Sequence, residues 1–380
     1  MHLLPTILLW LSALAVVWTY AGYPLFVLLL ARWRPRPHRQ VKIQPTVSLI
    51  IPAYNEEAVI AEKLENALGL DYPQEKREIL VIADGSTDQT VEIVEHYASR
   101  GVQLLYGPQR QGKIAAMNRA VPHARGEILV FSDANAMIEQ ASLQMLVRNF
   151  ADPQVVCVSG EKRIRSDSQV QARGESAYWR FEARVKKAES LVSTVIGAVG
   201  EFFAIRRERY RSVEEDNVIE DFVLSMRLVM EGWRIVYEPE AVAWEEASPS
   251  LRAEWERRAR NIAGGFQAIG RLRGLLSPRY GLIAFQYFSH KVLRWTAPFT
   301  MILAWVSNAL LYNFDFYRLL FWGQTGFYLL ALLGWGTVLL GWKVRLLQLA
   351  FYFCFANSTA LGGFVRYVTG TQSVIWKKVR

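Results

Sequence analysis

Between Val47 and Asn135 short apolar runs alternate with amphipathic ones, and that alternation leaves few folds open. Val47–Ile51, Ile79–Ala83, Val102–Tyr106 and Ile128–Phe131 are runs of strand formers. Glu56–Leu70, Asp88–Ser99 and Lys113–His123 carry helical patterning between them. Strands alternating with helices predict right-handed βαβ units. Strands this solidly apolar are buried on both faces. The expected fold class is α/β, a mainly parallel sheet with helices on both faces. Further on, Val155–Ser159 reads as another strand, Ala198–Ile205 as apolar strand or loop, and Val170–Ser190 and Ile219–Glu231 as helices. Arg234–Tyr237 and Ala241–Trp244 read as two strands split by Pro239, because proline cannot donate to a ladder.

Apolar segments flank this region. Leu3–Ala31 contains no Asp, Glu, Lys or Arg and is long enough to cross a hydrocarbon core of about 30 Å. A signal peptide would start with basic residues and be shorter. Arg32, Arg34, Arg36 and Arg39 follow, which places the next domain in the cytoplasm by the positive-inside rule. Ala297–Tyr312, Leu319–Trp342 and Leu346–Val365 are apolar again, and Lys377, Lys378 and Arg380 close the chain. Three spans would put that basic tail outside; two spans with a re-entrant or interfacial third segment would keep it inside, and charge favours the latter. Leu251–Leu275 combines an apolar face with a basic balance that includes Arg257, Arg258, Arg260, Arg271 and Arg273, as a helix lying at a membrane interface does. The expected organisation is an N-terminal transmembrane helix (1–31) and a basic, proline-containing linker (32–46). A cytosolic domain (47–250), interfacial amphipathic helices (251–295) and a C-terminal transmembrane region with its basic tail (296–380) follow. The expected location is the plasma (inner) membrane, multi-pass, with the catalytic domain cytoplasmic.

Composition agrees with this division. Apolar residues make up 52% of the chain, yet 21% are charged, and the net charge is +9. Much of the basic excess flanks apolar segments, which suits a membrane surface. No zinc-finger spacing, basic zipper or ribonucleoprotein motif is present, so nucleic acid is not an expected partner. Cys157 and Cys354 each lie in apolar sequence and read as inert buried thiols.

Three strand ends point at one crevice: Pro52-Ala-Tyr-Asn-Glu56, Asp84-Gly-Ser-Thr-Asp88 and Asp133-Ala-Asn135. In open α/β sheets, ligands bind outside the carboxyl ends of the strands. Asp133 and Asn135 offer hard oxygen ligands suited to Mg2+ or Mn2+ bridging a diphosphate; the plainer reading is a capped turn. Asp84 can accept hydrogen bonds from a base or ribose, while Asp88 reads as a helix cap. Gly107-Pro-Gln-Arg-Gln-Gly112-Lys113 fits G-x-x-x-x-G-K, but Ile114 stands where a P-loop needs Ser or Thr. Lys113 can still meet a phosphate at its helix N-terminus. A P-loop-like nucleotidase or a transporter-associated nucleotide-binding protein is the alternative on this motif. Glu220 and Asp221 open a helix, where they complement its dipole or supply a general base.

Taken in order, Val47–Glu57 (VSLIIPAYNEE), Asp84–Asp88, Asp133–Asn135, Glu220–Asp221 and Arg257–Arg260 resemble the family 2 glycosyltransferases. The likeness is to the membrane-embedded branch of cellulose, chitin and hyaluronan synthases. The resemblance implies a GT-A fold, a nucleotide-diphosphate sugar donor, Mg2+ or Mn2+, and a glycan or lipid acceptor. It implies that Pro52, Tyr54, Glu56 and Asp84 hold the nucleoside, that Lys113 lies near the nucleotide, and that Asp133 serves the metal-diphosphate, with Asn135 beside it. It gives Asp221, with Glu220, the place of the catalytic base. Gly200, Phe202 and Phe203 fall where the family has an acceptor-lining loop, and Arg258 and Arg260 where it has diphosphate-binding arginines. Two motifs depart from the family. Its Asp-x-Asp reads Asp-Ala-Asn, and its Q-x-x-R-W reads Arg257-Arg258-Ala259-Arg260-Asn261, without the Gln or the Trp. That Trp supports the acceptor sugar in processive synthases, so addition of one or a few sugars stays open beside polymerisation.

Overall fold

The computed structural model describes residues 2–165, 170–342 and 344–375, with the side chains of the helix Val170–Val192 described from Trp179 onward. Trp376, Lys377, Lys378 and Arg380 lie outside the described residues. The chain opens with α1 (Leu3–Val17), a π-helical turn and α2 (Tyr23–Trp33) in one continuous rod. This rod, Leu3–Trp33, is long and apolar enough to cross a membrane.

An eight-stranded sheet follows. Its strands are β1 (Val47–Ala53), β2 (Arg77–Asp84), β3 (Val102–Gly107), β4 (Ile128–Ser132), β5 (Met137–Ile138), β6 (Val155–Arg165), β7 (Phe202–Arg206) and β8 (Arg234–Glu246). Their order is β3-β2-β1-β4-β7-β6-β8-β5. The first four pair in parallel. β7 then runs antiparallel to both β4 and β6, and β5 antiparallel to β8. The sheet is therefore mixed: the expected parallel pairing holds through the half built from βαβ units and returns in the β6–β8 pair. β7 reverses because it re-enters the sheet from the carboxyl edge of β4, with Phe202 opposite Ser132.

Residues alternate along each strand between two cores. Leu49, Ile51 and Val81 face α3 (Ile60–Leu68) and α6 (Ser142–Val147), with α4 (Thr90–His96) on the same layer. Ile50, Leu80 and Ile82 face α5 (Lys113–Ala120) and α8 (Glu220–Met230). Both faces are covered, which is why these strands carry no polar alternation.

Pro239 does not split the eighth strand. β8 runs through it, and the register against β6 slips from Ser159↔Tyr237 to Glu161↔Val242. The extra residues form a bulge that takes the proline out of the ladder.

The long helix α7 (Val170–Val192) packs on α2, and α9 (Leu251–Arg271) leads to α10 (Leu282–Tyr287), α11 (Leu293–Leu310), α12 (Asp315–Leu339) and α13 (Arg345–Val368). α9 bridges the sheet domain and the final helix. A Cβ on Gly264 would lie 2.9 Å from Ile219, and one on Gly363 2.7 Å from the Ala259 carbonyl, so glycines set both close approaches. On α12 and α13, Leu329, Leu332, Leu333, Trp335, Leu346 and Leu349 are exposed.

Candidate active site

The parallel half of the sheet brings the ends of β1, β2 and β4 to one edge, and the reversed β7 delivers Gly200 and Glu201 to the same place. Lys113, the first residue of α5, sits at the centre. Its Nζ lies 2.6 Å from Asp133 Oδ1 and 3.3 Å from Glu220 Oε1, and donates to the Gly200 carbonyl at 3.2 Å. A Cβ on Gly200 would stand 3.0 Å from Asp221 Oδ2, so only glycine leaves that carboxylate its room. One lysine thus ties together the ends of β4, β7 and α8.

The electrostatics follow from this crowding. Burial works against the Lys113 ammonium, but Asp133, Glu220 and Asp221 more than offset it and hold the group above its ordinary pKa. Burial, and then the Glu220 charge, push Asp221 up to about 7, against the pull of Lys113. Burial beside a second carboxyl thus leaves Asp221 poised near neutrality.

These groups line a cavity of about 690 Å3 together with Arg258 and Arg260 of α9. Glu254, buried beneath the arginines, anchors them: Arg257 Nη2 donates to it at 2.7 Å and Arg258 Nε pairs with its other oxygen. Arg260 lies within the fields of Glu220, Asp133 and Asp221.

The donor-side residues expected from sequence lie beside this cavity rather than in its wall. Asp84 accepts from the Gln111 and Gly112 N–H groups at 2.9 and 2.7 Å and from Arg119 Nη2 at 2.8 Å. It staples the 107–113 loop to the end of β2. The same bonds decide against a P-loop, because the loop's last N–H groups serve a carboxylate instead of a phosphate. Tyr54 stacks under the Arg110 guanidinium, 3.5 Å from its ring centroid. The turn after β1, which carries Pro52 and Glu56, is laced to that after β2: Asn55 Oδ1 accepts from the Thr87 N–H at 2.8 Å, and the Glu56 N–H donates to Thr90 Oγ1 at 2.7 Å. Asp88 caps α4 through the Thr90 N–H at 3.0 Å.

Phe202 and Phe203 require a correction. They sit on opposite faces of β7 and are 1% and 0% exposed, with Phe203 stacked on Phe131 at 4.9 Å. A strand covered on both faces buries every residue, so neither can line an acceptor path; Gly200 alone of the three reaches the cavity. Asn135 turns its amide nitrogen to Glu245, 3.1 Å away.

Two lysines escaped the sequence reading. Lys63 is fully buried and donates to Ser132 Oγ at 2.7 Å and to the Ala136 carbonyl, bracing the Asp133–Asn135 turn. Burial draws it down to about 7. The signal was present: Lys63 falls on the apolar stripe Ile60, Leu64, Ala67 of α3. Lys162 lies 2.5 Å from Glu201 and 2.6 Å from Glu245. It sits on the part of β6 beyond Ser159, where alternating polar residues hid the strand.

Asp133 opens to the cavity, and among the described residues no group of three or more His, Cys, Asp or Glu side chains is arranged to hold a metal. One carboxylate and one amide fit a divalent ion whose other ligands come from a diphosphate and water.

Residues 48–213 match the family model described as glycosyl transferase family 2. A poly-beta-1,6-N-acetyl-D-glucosamine synthase of Staphylococcus aureus is 28% identical over 229 residues, 59% of this chain and 55% of the relative. The synthase of Staphylococcus epidermidis is 26% identical over 238 residues, 61% and 57% of the two chains. The chain thus spans little more than half the length of these curated relatives. A solved mannosyltransferase of Pyrobaculum calidifontis, PcManGT, in complex with GDP-Man and Mn2+, superposes with a TM-score of 0.71 at 26% identity. That match covers 94% of this chain and 99% of the mannosyltransferase. Residues 48–213 thus match glycosyl transferase family 2, and the chain as a whole shares its fold with this mannosyltransferase.

Proposed function

We propose that the chain is a membrane-bound, inverting glycosyltransferase that moves a sugar from a nucleotide-diphosphate sugar to a hydroxyl of a polysaccharide or membrane-lipid acceptor. The observation that carries the reading is the pairing of Asp221, poised near neutrality, with Lys113, Asp133 and the α9 arginines around one cavity. The exposed leucines and tryptophan of α12 and α13, with the Leu3–Trp33 rod, support a multi-pass membrane enzyme with its sheet domain in the cytoplasm.

In this mechanism the Asp221 carboxylate takes the proton of the acceptor hydroxyl. The oxygen attacks the anomeric carbon in line, and the nucleoside diphosphate departs from the opposite face. A single displacement inverts the configuration. Arg258, Arg260 and Lys113 face the charge that builds on the departing diphosphate, where fixed cations in a dry site act most strongly. Asp133, with the Asn135 amide oxygen, would hold Mg2+ or Mn2+ against the diphosphate. That ion, when bound, neutralises leaving-group charge. Pro52, Tyr54, Glu56 and Asp84 frame the nucleoside side.

GDP-Man is the first donor to test, because the similar mannosyltransferase was solved with it. A nucleotide-activated N-acetylglucosamine is the second. Calorimetry of Asp133→Ala with each donor checks the metal assignment. Donor affinity should fall at least tenfold with Mn2+ present and change little without it; an equal fall in both conditions would remove Asp133 from that role.

The pH profile tests the base. Asp221 acts when ionised, so kcat/KM should rise with pH through an apparent pKa of about 7, a value that belongs to the Glu220–Asp221 pair. Glu220→Gln removes the charge that helps raise Asp221, so the rising limb should move to lower pH. A limb that stays in place sinks the assignment.

A further inference from the structure

The cavity is also lined by groups that the transfer mechanism does not use, and their charges do not balance. α7 carries Glu182, Lys186 and Glu189 on successive turns. Glu182 accepts from Lys291 Nζ at 2.9 Å and Arg294 Nη1 at 2.6 Å, and lies 3.2 Å from His290 Nε2. Glu189 is engaged by the Tyr23 hydroxyl and by His290 Nδ1 at 2.7 Å. Both carboxylates are therefore committed. Lys186 is 5% exposed and lines the cavity, and among the described residues its ammonium has no hydrogen bond or ion pair. It has the Trp179 ring, with Nζ 5.8 Å from the centroid. Burial lowers its pKa; the Glu182 charge opposes this, Lys291 adds to it, and Glu201 and Glu161 oppose it more weakly. A buried cation left without a counter-ion is costly, and a ligand that supplies the missing charge removes the cost.

Lys291 and Arg294 line the same cavity, so three cations face it here; of the nearby lining carboxylates, Glu182 is paired with Lys291 and Arg294, and Glu201 with Lys162. α13 lines the cavity mostly with apolar residues, Leu349, Phe353, Phe355, Ala356 and Ala360, beside the polar Tyr352, Asn357 and Thr359. We propose that Lys186, with Lys291 and Arg294, forms an anion subsite for the phosphate of a phosphate-bearing acceptor. The word acceptor rests on the transferase reading above; the subsite itself does not. The chemistry is that of a phosphate ester or free phosphate, and the apolar α13 lining favours an ester on an isoprenoid or other lipid chain.

The test uses the full chain in detergent, titrated calorimetrically with farnesyl phosphate, farnesol and inorganic phosphate. Farnesyl phosphate should bind the wild type, and Lys186→Met should weaken it roughly ten- to a hundredfold, the worth of a charge-assisted hydrogen bond. Lys186→Arg should recover most of the loss, and farnesol should bind weakly and equally to all three proteins. If inorganic phosphate binds as tightly as farnesyl phosphate, with the same dependence on Lys186, the subsite stands and its ligand is the free anion. Equal affinities of wild type and Lys186→Met for both phosphates overturn the proposal. So does a parallel loss of GDP affinity, which would put Lys186 in the donor pocket. A second measurement needs no variant: amine acylation of Lys186 in the wild type, read by mass spectrometry, should be suppressed by farnesyl phosphate and not by farnesol, and absence of protection counts against the subsite. Lys186-dependent phosphate binding without any sugar transfer would sink the transferase mechanism and leave the subsite intact.

Discussion

Asp221→Asn lowers the rate of transfer by roughly 10²–10⁴-fold, the range a positioned general base contributes, and leaves nucleotide-sugar affinity within about twofold. The amide keeps the size of the carboxylate and its place beside Gly200, but it cannot accept the acceptor's proton. The same substitution should stabilise the protein, and the direction follows from the raised pKa. The folded state holds a proton on Asp221 up to about pH 7, whereas an unfolded chain releases it near pH 4. Between those values the folded state binds more protons, so the wild type loses stability as pH rises. Above pH 7 the full penalty is present, and the asparagine variant escapes it. Melting temperatures measured at pH 5 and pH 8 should show the gap between variant and wild type widening with pH. An inactive variant with no such gain would mean that the carboxyl is not held in the environment described. Retained transfer would remove Asp221 from the chemistry altogether.

The parts of this molecule legible in sequence are those where one physical demand acts alone. β1, β2 and β4 announced themselves because burial on both faces requires uninterrupted apolar runs. Their carboxyl ends shared an edge because parallel strands leave no other arrangement, which brought Asp84 and Asp133 together before any coordinates. Asp221 was equally visible as a carboxylate opening a helix. The misses fall where two demands compete. Phe202 and Phe203 follow a loop that reaches the site, yet they belong to the strand that leaves it, and packing against Phe131 takes them. Pro239 obeys its ladder rule by a bulge rather than by ending the strand. Lys63 and Lys162 look like surface lysines by type, and only the carboxylates and carbonyls brought to them by distant segments explain their burial. No local pattern records a partner that arrives from some forty to eighty positions away, as Glu201 and Glu245 do for Lys162. The reversal of β7 is of the same kind: it is set by where the chain returns after α7, not by its own five residues.

Lys113→Met tests the other half of the site, because it removes the one cation that Asp133, Glu220 and Asp221 share. Removing one partner of a buried ion pair costs about 3–5 kcal/mol, since the remaining charges are left uncompensated. The melting temperature should therefore fall by roughly 10 °C at pH 8. The loss should shrink on acidification, as the stranded carboxyls take up protons. Without the lysine, Asp221 loses the influence that lowers its pKa, so any residual activity should show its rising limb displaced to higher pH. Lys113→Arg should keep most of the stability, because a guanidinium restores the charge. The variant also separates two views of Asp133. With Lys113 Nζ at 2.6 Å, this carboxylate already has a cation, and a divalent ion must share it with the ammonium. In Lys113→Met that competition is gone. Mn2+ added alone should then raise the melting temperature of the variant by more than it raises that of the wild type, because a ligand that binds only the folded state stabilises it. Asp133→Ala in the same background should abolish the difference. If Mn2+ affects both proteins equally, Asp133 is a partner of Lys113 and nothing more, and the divalent ion has to be held by the donor's own diphosphate.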